Sequence, residues 1–481
     1  IGKIYGGNQS DVSGNKLNVK ANATAENIGN FDKVTFYLRS GGVTQTETAP
    51  LLTLTDTAGT TVNLGSIGVD GWVKGKRILM ENATAGQLNA TAYSGVRHSN
   101  FDDKREYHID TNTASGTATQ ILYEGMQFKD ATSTETATTN AEIYGGRSRF
   151  GNSTVGNTLT IENGTHQNAY GGKTEGSGTN LEEGNSRDNT VLMKNGTVNN
   201  SIYGGYTAGS GSATGNIVNI SGGTVSGGVY GGMSASGNAT GNTVNITGGT
   251  VSGVVRGGMS TSGSATGNTV DLKGAAVTGN LYAGALTHAS ASGAATGNKV
   301  NLYSGTVAGD VYAGFARGSG KTTGNTITIG DGTHDANVTV TGKLYGGNKS
   351  ATDNALDIKS KGAAVGSLAG FSKIKFNLGS SVADGDTVLT LNENTTLDYS
   401  TVEKPTGGSV SAWLGNVMQK KAHLFQMAAG KTLTLNGYAP ATGSERAGDV
   451  EYSLVTDNNA AATTSGSLDL SAYKWQNANV E

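Results

Sequence analysis

Two residue types recur in this chain at intervals that could carry chemistry. Asparagine follows glycine at Asn157, Asn216, Asn242, Asn268, Asn298 and Asn325. Tyrosine stands in an aliphatic-Tyr-Gly-Gly frame at Tyr144, Tyr203, Tyr230 and Tyr345, and behind Ala169 at Tyr170. Tyr282 and Tyr312 keep the frame with alanine in place of the first glycine, and Arg256 takes the tyrosine's place once. A row of amides could hold a ligand. We read it instead as an asparagine ladder at a turn, where side chains bond from repeat to repeat and the residue tolerates left-handed backbone. A row of tyrosines could stack on sugars or on a partner protein, or could stiffen a sheet through aromatic neighbours. Those two roles are compatible.

Catalysis finds less to work with. Glycan-cleaving chemistry needs an acid and a base, usually paired carboxylates. Between Ser201 and Gly330 the acids are Asp271 and Asp310, well apart in sequence, and Asp271 sits in an outward column. There is no G-x-S-x-G elbow, no H-E-x-x-H pair and no phosphate-binding G-x-x-x-x-G-K-[ST]. His98, His108, His166, His288, His334 and His423 are scattered; a set such as a serine with His98 and Asp102 is the sort chance supplies in a serine-rich chain. Calcium-binding rolls put an aspartate in each turn, whereas these turns read S-G-x-A-T-G-N. We therefore expect no catalytic, metal or cofactor site.

The elements that position these rows are written into the repeat. Four successive units of about 26 residues run from Ser201 to Gly330, and the tyrosine frame marks seven coils in all. A fixed period of this size signals a solenoid. Each coil offers three short strands: the N-x-V-N-I run, the Thr-Val pair after Gly-Gly, and the V-Y-G-G run. Val244 and Ile246 alternate with Asn245, as in a half-buried strand. The residues before the tyrosine, from Ile143 to Leu344, should point inward, and the tyrosines outward. Stacked coils would set like residues about 4.8 Å apart.

A longer repeat brackets the coils. KIYGGNQSDVSGNKLNVK, continuing to NFDKVTFYL, recurs from Lys343 as KLYGGNKSATDNALDIK, continuing to GFSKIKFNL. The expectation is an all-β chain: a parallel β-helix over 141–342, flanked by homologous strand-rich modules at 1–140 and 343–481. In each module Val34, Phe36 and Leu38, or Ile374, Phe376 and Leu378, should face a core.

The formal charge of −3 gives no electrostatic case for nucleic acid. No apolar run reaches the length of about 18 residues that a membrane helix needs. The 76 glycines sit at fixed repeat positions, which suits turns, and cysteine is absent. The sequence opens at Ile1 without a signal segment and reads as a piece of a larger parent.

The units GNxVNIxGGTVxGxVYGG, followed by NFDKVTFYL and an LTLT strand, resemble the passenger regions of bacterial autotransporter-type surface proteins. That resemblance implies export from a diderm bacterium and display on, or release from, its outer surface. The signal sequence and translocator barrel that define the group are missing here. On this reading the chain is an adhesin or self-associating passenger with a host glycan or protein as receptor. The alternative is a structural unit of an end-to-end filament; a glycan-active enzyme or a tailspike comes third. Insertions at 173–189, 284–296 and 316–322 would then form a recognition face.

Overall fold

The computed structural model describes residues 1–7, 13–38, 48–91, 97–112, 117–176, 184–349, 352–379, 381–404, 407–439, 444–447, 450–457 and 462–474. It divides into two compact units, Ile1–Asp130 and Ala131–Glu481.

The second unit is a parallel β-solenoid. One turn, followed from Asn242, contains the strands Thr243–Ile246, Thr250–Val251, Val255–Ser260 and Ala265–Thr266. Like strands stack in parallel. The first two belong to a 21-stranded sheet, the third to a nine-stranded sheet and the fourth to a six-stranded sheet. The Ala-Thr strand is the element the sequence reading lacks. Its signal is the Ala-Thr pair recurring before Gly-Asn, too short to show an alternation.

Alternation explains the core. Val218 pairs with Val244 and Ile220 with Ile246, all fully buried or nearly so, while Asn219 pairs with Asn245 on the outer side. Ile202, Val229, Val255, Leu281, Val311 and Leu344 form a second buried column. Identical side chains therefore pack on their own kind, and each coil adds a similar increment of buried apolar surface. His166 takes the core position held by Val198 in the next coil. Its Nδ1 lies 2.9 Å from Thr139 Oγ1 and its Nε2 3.1 Å from the Asn163 carbonyl, so the buried ring keeps polar partners.

Residues 343–481, expected as a separate module, belong to the same compact unit as the coils. Leu344–Gly347 pairs with Val311–Ala316, and Ala355–Ile358 with Thr326–Ile329, so the ladder continues across the expected boundary. At the other end the solenoid begins with Thr132–Glu135, which pairs with Thr158–Ile161 ahead of the expected start. Parallel growth stops where Ser467–Lys474 pairs antiparallel with both Gln419–Met427 and Val450–Thr456. The helix Gly407–Leu414 buries Trp413, whose Nε1 donates to the Val382 carbonyl at 3.0 Å.

The first unit follows the terminal module's order of strands and 3-10 turn, except that the strand Ile67–Asp70 stands where the terminal module has the helix. Lys16–Val19 pairs in parallel with Lys33–Tyr37, as Ala355–Ile358 does with Lys373–Phe376. Asn63 and Asp398 each cap a 3-10 turn through the side chain. Both modules end in antiparallel strands, here Gly75–Asn82, Gln120–Gln127 and Arg105–Thr111. Val34, Phe36 and Leu38 are buried in one module and Ile374, Phe376 and Leu378 in the other.

Candidate functional site

The asparagines form one continuous ladder inside the second unit. Asn157 Nδ2 donates to Asn189 Oδ1 at 2.7 Å, Asn189 to Asn216 at 2.9 Å and Asn216 to Asn242 at 2.9 Å. The chain of amides runs on through Asn268, Asn298 and Asn325 at 3.0 Å per step, and reaches Asn354 at 3.1 Å. Each acceptor oxygen also takes the backbone N–H of the preceding asparagine, as from Asn216 to Asn242 at 3.0 Å. The second amide hydrogen goes to a carbonyl, as from Asn242 to Ala213 at 2.9 Å. All eight residues are wholly buried. With both N–H groups and the oxygen engaged, these amides offer nothing to an incoming ligand.

Asn189 and Asn354 are the rungs that a search for Gly-Asn misses. The residue before a rung adopts left-handed backbone, with φ between 63° and 68° at Gly156, Gly215, Gly241, Gly267, Gly297 and Gly324. At the two missed rungs Asp188 and Asp353 do the same at φ 56°. Aspartate is among the few side chains that tolerate this region.

The tyrosines stack on the outer side of the nine-stranded sheet. Ring centroids lie 5.4, 5.0 and 4.8 Å apart from Tyr144 through Tyr170 and Tyr203 to Tyr230. The spacing is 5.0 and 4.5 Å from Tyr282 through Tyr312 to Tyr345. Arg256 fills the break, its guanidinium 5.4 Å from the Tyr230 ring and 5.1 Å from Tyr282. Since each inner ring has neighbours over both faces, a sugar could reach edges and hydroxyls but not an open ring face. A second outward column lies three residues beyond the first. There Tyr206 meets Tyr203 edge-on at 5.4 Å, and Phe315 meets Tyr312 at 5.3 Å. Its members are too varied chemically (Arg147, Lys173, Tyr206, Met233, Met259, Ala285, Phe315) to be seen as a column in sequence.

The first coils carry charge on this face. Lys173 Nζ lies 3.0 Å from Glu142 and 2.6 Å from Glu175, and Arg147 is 3.0 Å from Glu175. Burial pushes both carboxyls up. Hydrogen bonds from Tyr144 and Lys173 to Glu142, and from Lys173 and Arg147 to Glu175, outweigh it and leave both below the usual range.

Among the described residues, two of the grooves lie on the solenoid. One, of about 550 Å³, is lined by Asn163, Gly164, Thr165, Asn195, Gly196, Thr197, Gly223, Thr224 and the segment 136–138. Thr165, Thr197 and Thr224 stand in register there. Gly164, Gly196 and Gly223 take φ of 94°, 92° and 83°, and a side chain on any of them would run into the backbone of the adjacent coil. The other groove, of about 460 Å³, is bordered by Asn219, Asn245, Asp271, Lys273 and Tyr303. Asp271 there accepts from Asn301 Nδ2 at 2.7 Å, a coil-to-coil bond. Asp310 accepts from Tyr312 Oη at 3.0 Å and from the Lys343 N–H at 2.8 Å.

The remaining sequence candidates stay apart. Asp102 is engaged by Arg105, whose guanidinium holds the carboxyl below its usual range, and the His98 side chain lies outside the described residues. The charged centre of the 173–189 insertion, residues 177–183, also lies outside them. The insertion at 284–296 folds onto its coil, with Leu286 and Ala291 buried against Ala265, Ala295 and Ala316. Among the described residues no three His, Asp or Glu side chains converge as a metal site, and no helix is long and apolar enough to cross a membrane. Sequence reasoning missed His423 and Asp469, which meet at 2.6 Å across the antiparallel strands with Lys421 2.9 Å from the same carboxylate. No family model matches this chain, and neither the curated proteins nor the solved structures give a match.

Proposed function

We propose that this chain is a non-catalytic extracellular surface protein of a diderm bacterium, an adhesin or self-associating passenger whose solenoid is a scaffold for display. The observation that carries this reading is the groove lined by Thr165, Thr197 and Thr224. It repeats a threonine hydroxyl in three coils and an asparagine amide in two, beside a row of glycines, whereas the asparagine and tyrosine ladders turn their groups toward one another. Regularly spaced hydroxyls and amides suit a polar, repetitive ligand such as a glycan, which binds through hydrogen bonds and bridging water. The resemblance to autotransporter-type passengers supports display at the cell surface.

The test is binding of the whole chain to a glycan array and to cells, alongside the triple variant T165V/T197V/T224V. Saturable binding that falls at least tenfold in the variant, with the β-sheet circular dichroism unchanged, is the expected result. Absence of saturable binding to any glycan or cell would overturn the receptor reading. A second reading, a structural unit of a filament, is favoured by the two homologous modules that bracket the coils. Electron microscopy of native material showing uniform filaments would select it.

A further inference from the structure

The groove bordered by Asp271 and Tyr303 contains a break in an outer amide column, distinct from the buried ladder. Asn219, Asn245, Asp271 and Asn301 stand in register on successive coils. Asn245 Nδ2 donates to Asn219 Oδ1 and Asn301 Nδ2 to Asp271 Oδ1, both at 2.7 Å. Among the described residues the step between Asn245 and Asp271 carries no bond, because a carboxylate has no hydrogen to give the Asn245 amide oxygen. An amide oxygen and a carboxylate oxygen are left on neighbouring coils, both acceptors and both on residues that line the groove.

The column beside it changes character at the same coils. After the buried residues Ile161, Met193, Ile220, Ile246, Leu272 and Leu302 come Glu162, Lys194, Ser221, Thr247, Lys273 and Tyr303. Lys194 closes on Glu162 at 2.8 Å, whereas Lys273 has no ion pair among the described residues. Ser221 and Thr247 are short and leave room beside Lys273 and Tyr303. Tyr303 is set apart by the backbone as well. Leu272 pairs with Leu302 but Lys273 with Ser304, so Tyr303 is a bulge residue, and a bulge re-aims its side chain. The tyrosines of the outer stack, and Tyr206 beside them, each contact a neighbouring ring. Tyr303 is half-buried and, among the described residues, has no other ring against it. Burial and the carboxylates of Asp271 and Asp331 push its hydroxyl up, which keeps it a neutral donor.

We propose that this groove, with Asn245, Asp271, Lys273 and Tyr303 as its contacts, is a binding site for one neutral pyranose unit of a glycan. Its volume of about 460 Å³ lies within the usual span of small-molecule sites, about 300–1,000 Å³. Adjacent ring hydroxyls give their hydrogens to the two acceptors and accept from the Lys273 ammonium and the Tyr303 hydroxyl. The Tyr303 ring supplies a flat apolar platform for the C–H face of the sugar. Charge decides among sugars. The groove carries one carboxylate and one ammonium, so a cationic amino sugar meets Lys273 and an acidic sugar meets Asp271, while a neutral ring meets neither repulsion. The site shares with the proposed function the expectation of a glycan ligand, but it uses no residue of the threonine groove and holds whether or not that groove binds.

Two substitutions return the site to the pattern of neighbouring coils and should leave the fold intact: Asp271→Asn, matching Asn245 and Asn301, and Tyr303→Thr, matching Thr247. The test is a ligand-observed NMR titration of the whole chain with the methyl glycosides of glucose, galactose, mannose and N-acetylglucosamine. Glucosamine and glucuronic acid serve as charged probes. At least one neutral glycoside should bind saturably, and its dissociation constant should rise at least tenfold in each variant, with circular dichroism and thermal melting unchanged. The variant T165V/T197V/T224V should bind it as the parent does. No saturable binding of any neutral glycoside would overturn the proposal, as would unchanged binding in either variant or tighter binding of a charged probe. Loss of binding in the threonine variant would overturn it too, and would assign the sugar to the threonine groove.

Discussion

Gly232 lies directly against the side-chain amide of Asn242: a methyl built on its Cα would sit 2.3 Å from Asn242 Oδ1. The same contact recurs between Gly205 and Asn216, and between Gly258 and Asn268. The second glycine of each tyrosine frame is therefore space reserved for a ladder rung. The first glycine faces the next coil's backbone instead, where a methyl on Gly231 would lie 2.4 Å from the Gly257 carbonyl, yet Ala283 and Ala313 show that later coils adjust to a methyl at this position. Gly232→Ala should then cost about 1–3 kcal/mol, the usual range for overpacking, and more than Gly231→Ala. Urea unfolding of both variants checks the order; equal costs would contradict it.

Asn242→Ala would strip the oxygen that accepts both the backbone and the side-chain N–H of Asn216, as well as the donor to Asn268. Leaving buried donors unsatisfied costs about 1–3 kcal/mol each, so a loss of about 2–4 kcal/mol is expected for the coil. Hydrogen exchange should show the opening centred on residues 216–268. An isolated effect on surface loops would refute the ladder as a source of stability.

Arg256 bridges two tyrosine stacks, and its worth should be measurable. Arg256→Ala removes cation-π contacts with Tyr230 and Tyr282 and the 3.1 Å bond to Tyr230 Oη. The expected cost is about 1–2 kcal/mol, whereas Arg256→Tyr completes the ring column and should be close to neutral. Thermal melts of the two variants separate these outcomes.

The His423–Asp469 pair predicts a pH dependence. Burial pushes the Asp469 carboxyl up, but hydrogen bonds from Lys421, Ser467 and His423 outweigh it and hold the group below its ordinary value of 3.8. A lowered folded value means the unfolded chain takes up the proton first. The stabilisation is therefore present above about pH 4 and is lost as pH falls through the folded value. Asp469→Asn should reduce stability at pH 7, and the gap from the parent should close as the pH falls below about 4. A gap independent of pH would refute the assignment.

What the sequence disclosed follows from period. Val244 and Ile246 alternate, the tyrosine frame returns every coil, and both survive any reading of the loops between them. What it concealed follows from position-specific geometry. Asp188 and Asp353 take left-handed backbone where other coils use glycine, so two rungs disappeared from the pattern. The column of Met233, Met259 and Phe315 shares a place without sharing a chemistry. His423 and Asp469 meet across an antiparallel pairing 46 residues apart, and no local pattern announces that.

The ladder also bears on how such a chain could change over generations. From Asn216 to Asn242 and from Asn242 to Asn268 the step is the same 26 residues, with the same groups offered above and below. Recombination that removes or doubles one such stretch of the gene would leave matching surfaces on either side of the join. The number of coils is thus free to drift in whole steps, and the steps of 27 and 30 residues from Asn189 to Asn216 and from Asn268 to Asn298 show that a coil absorbs smaller changes of length without breaking the ladder.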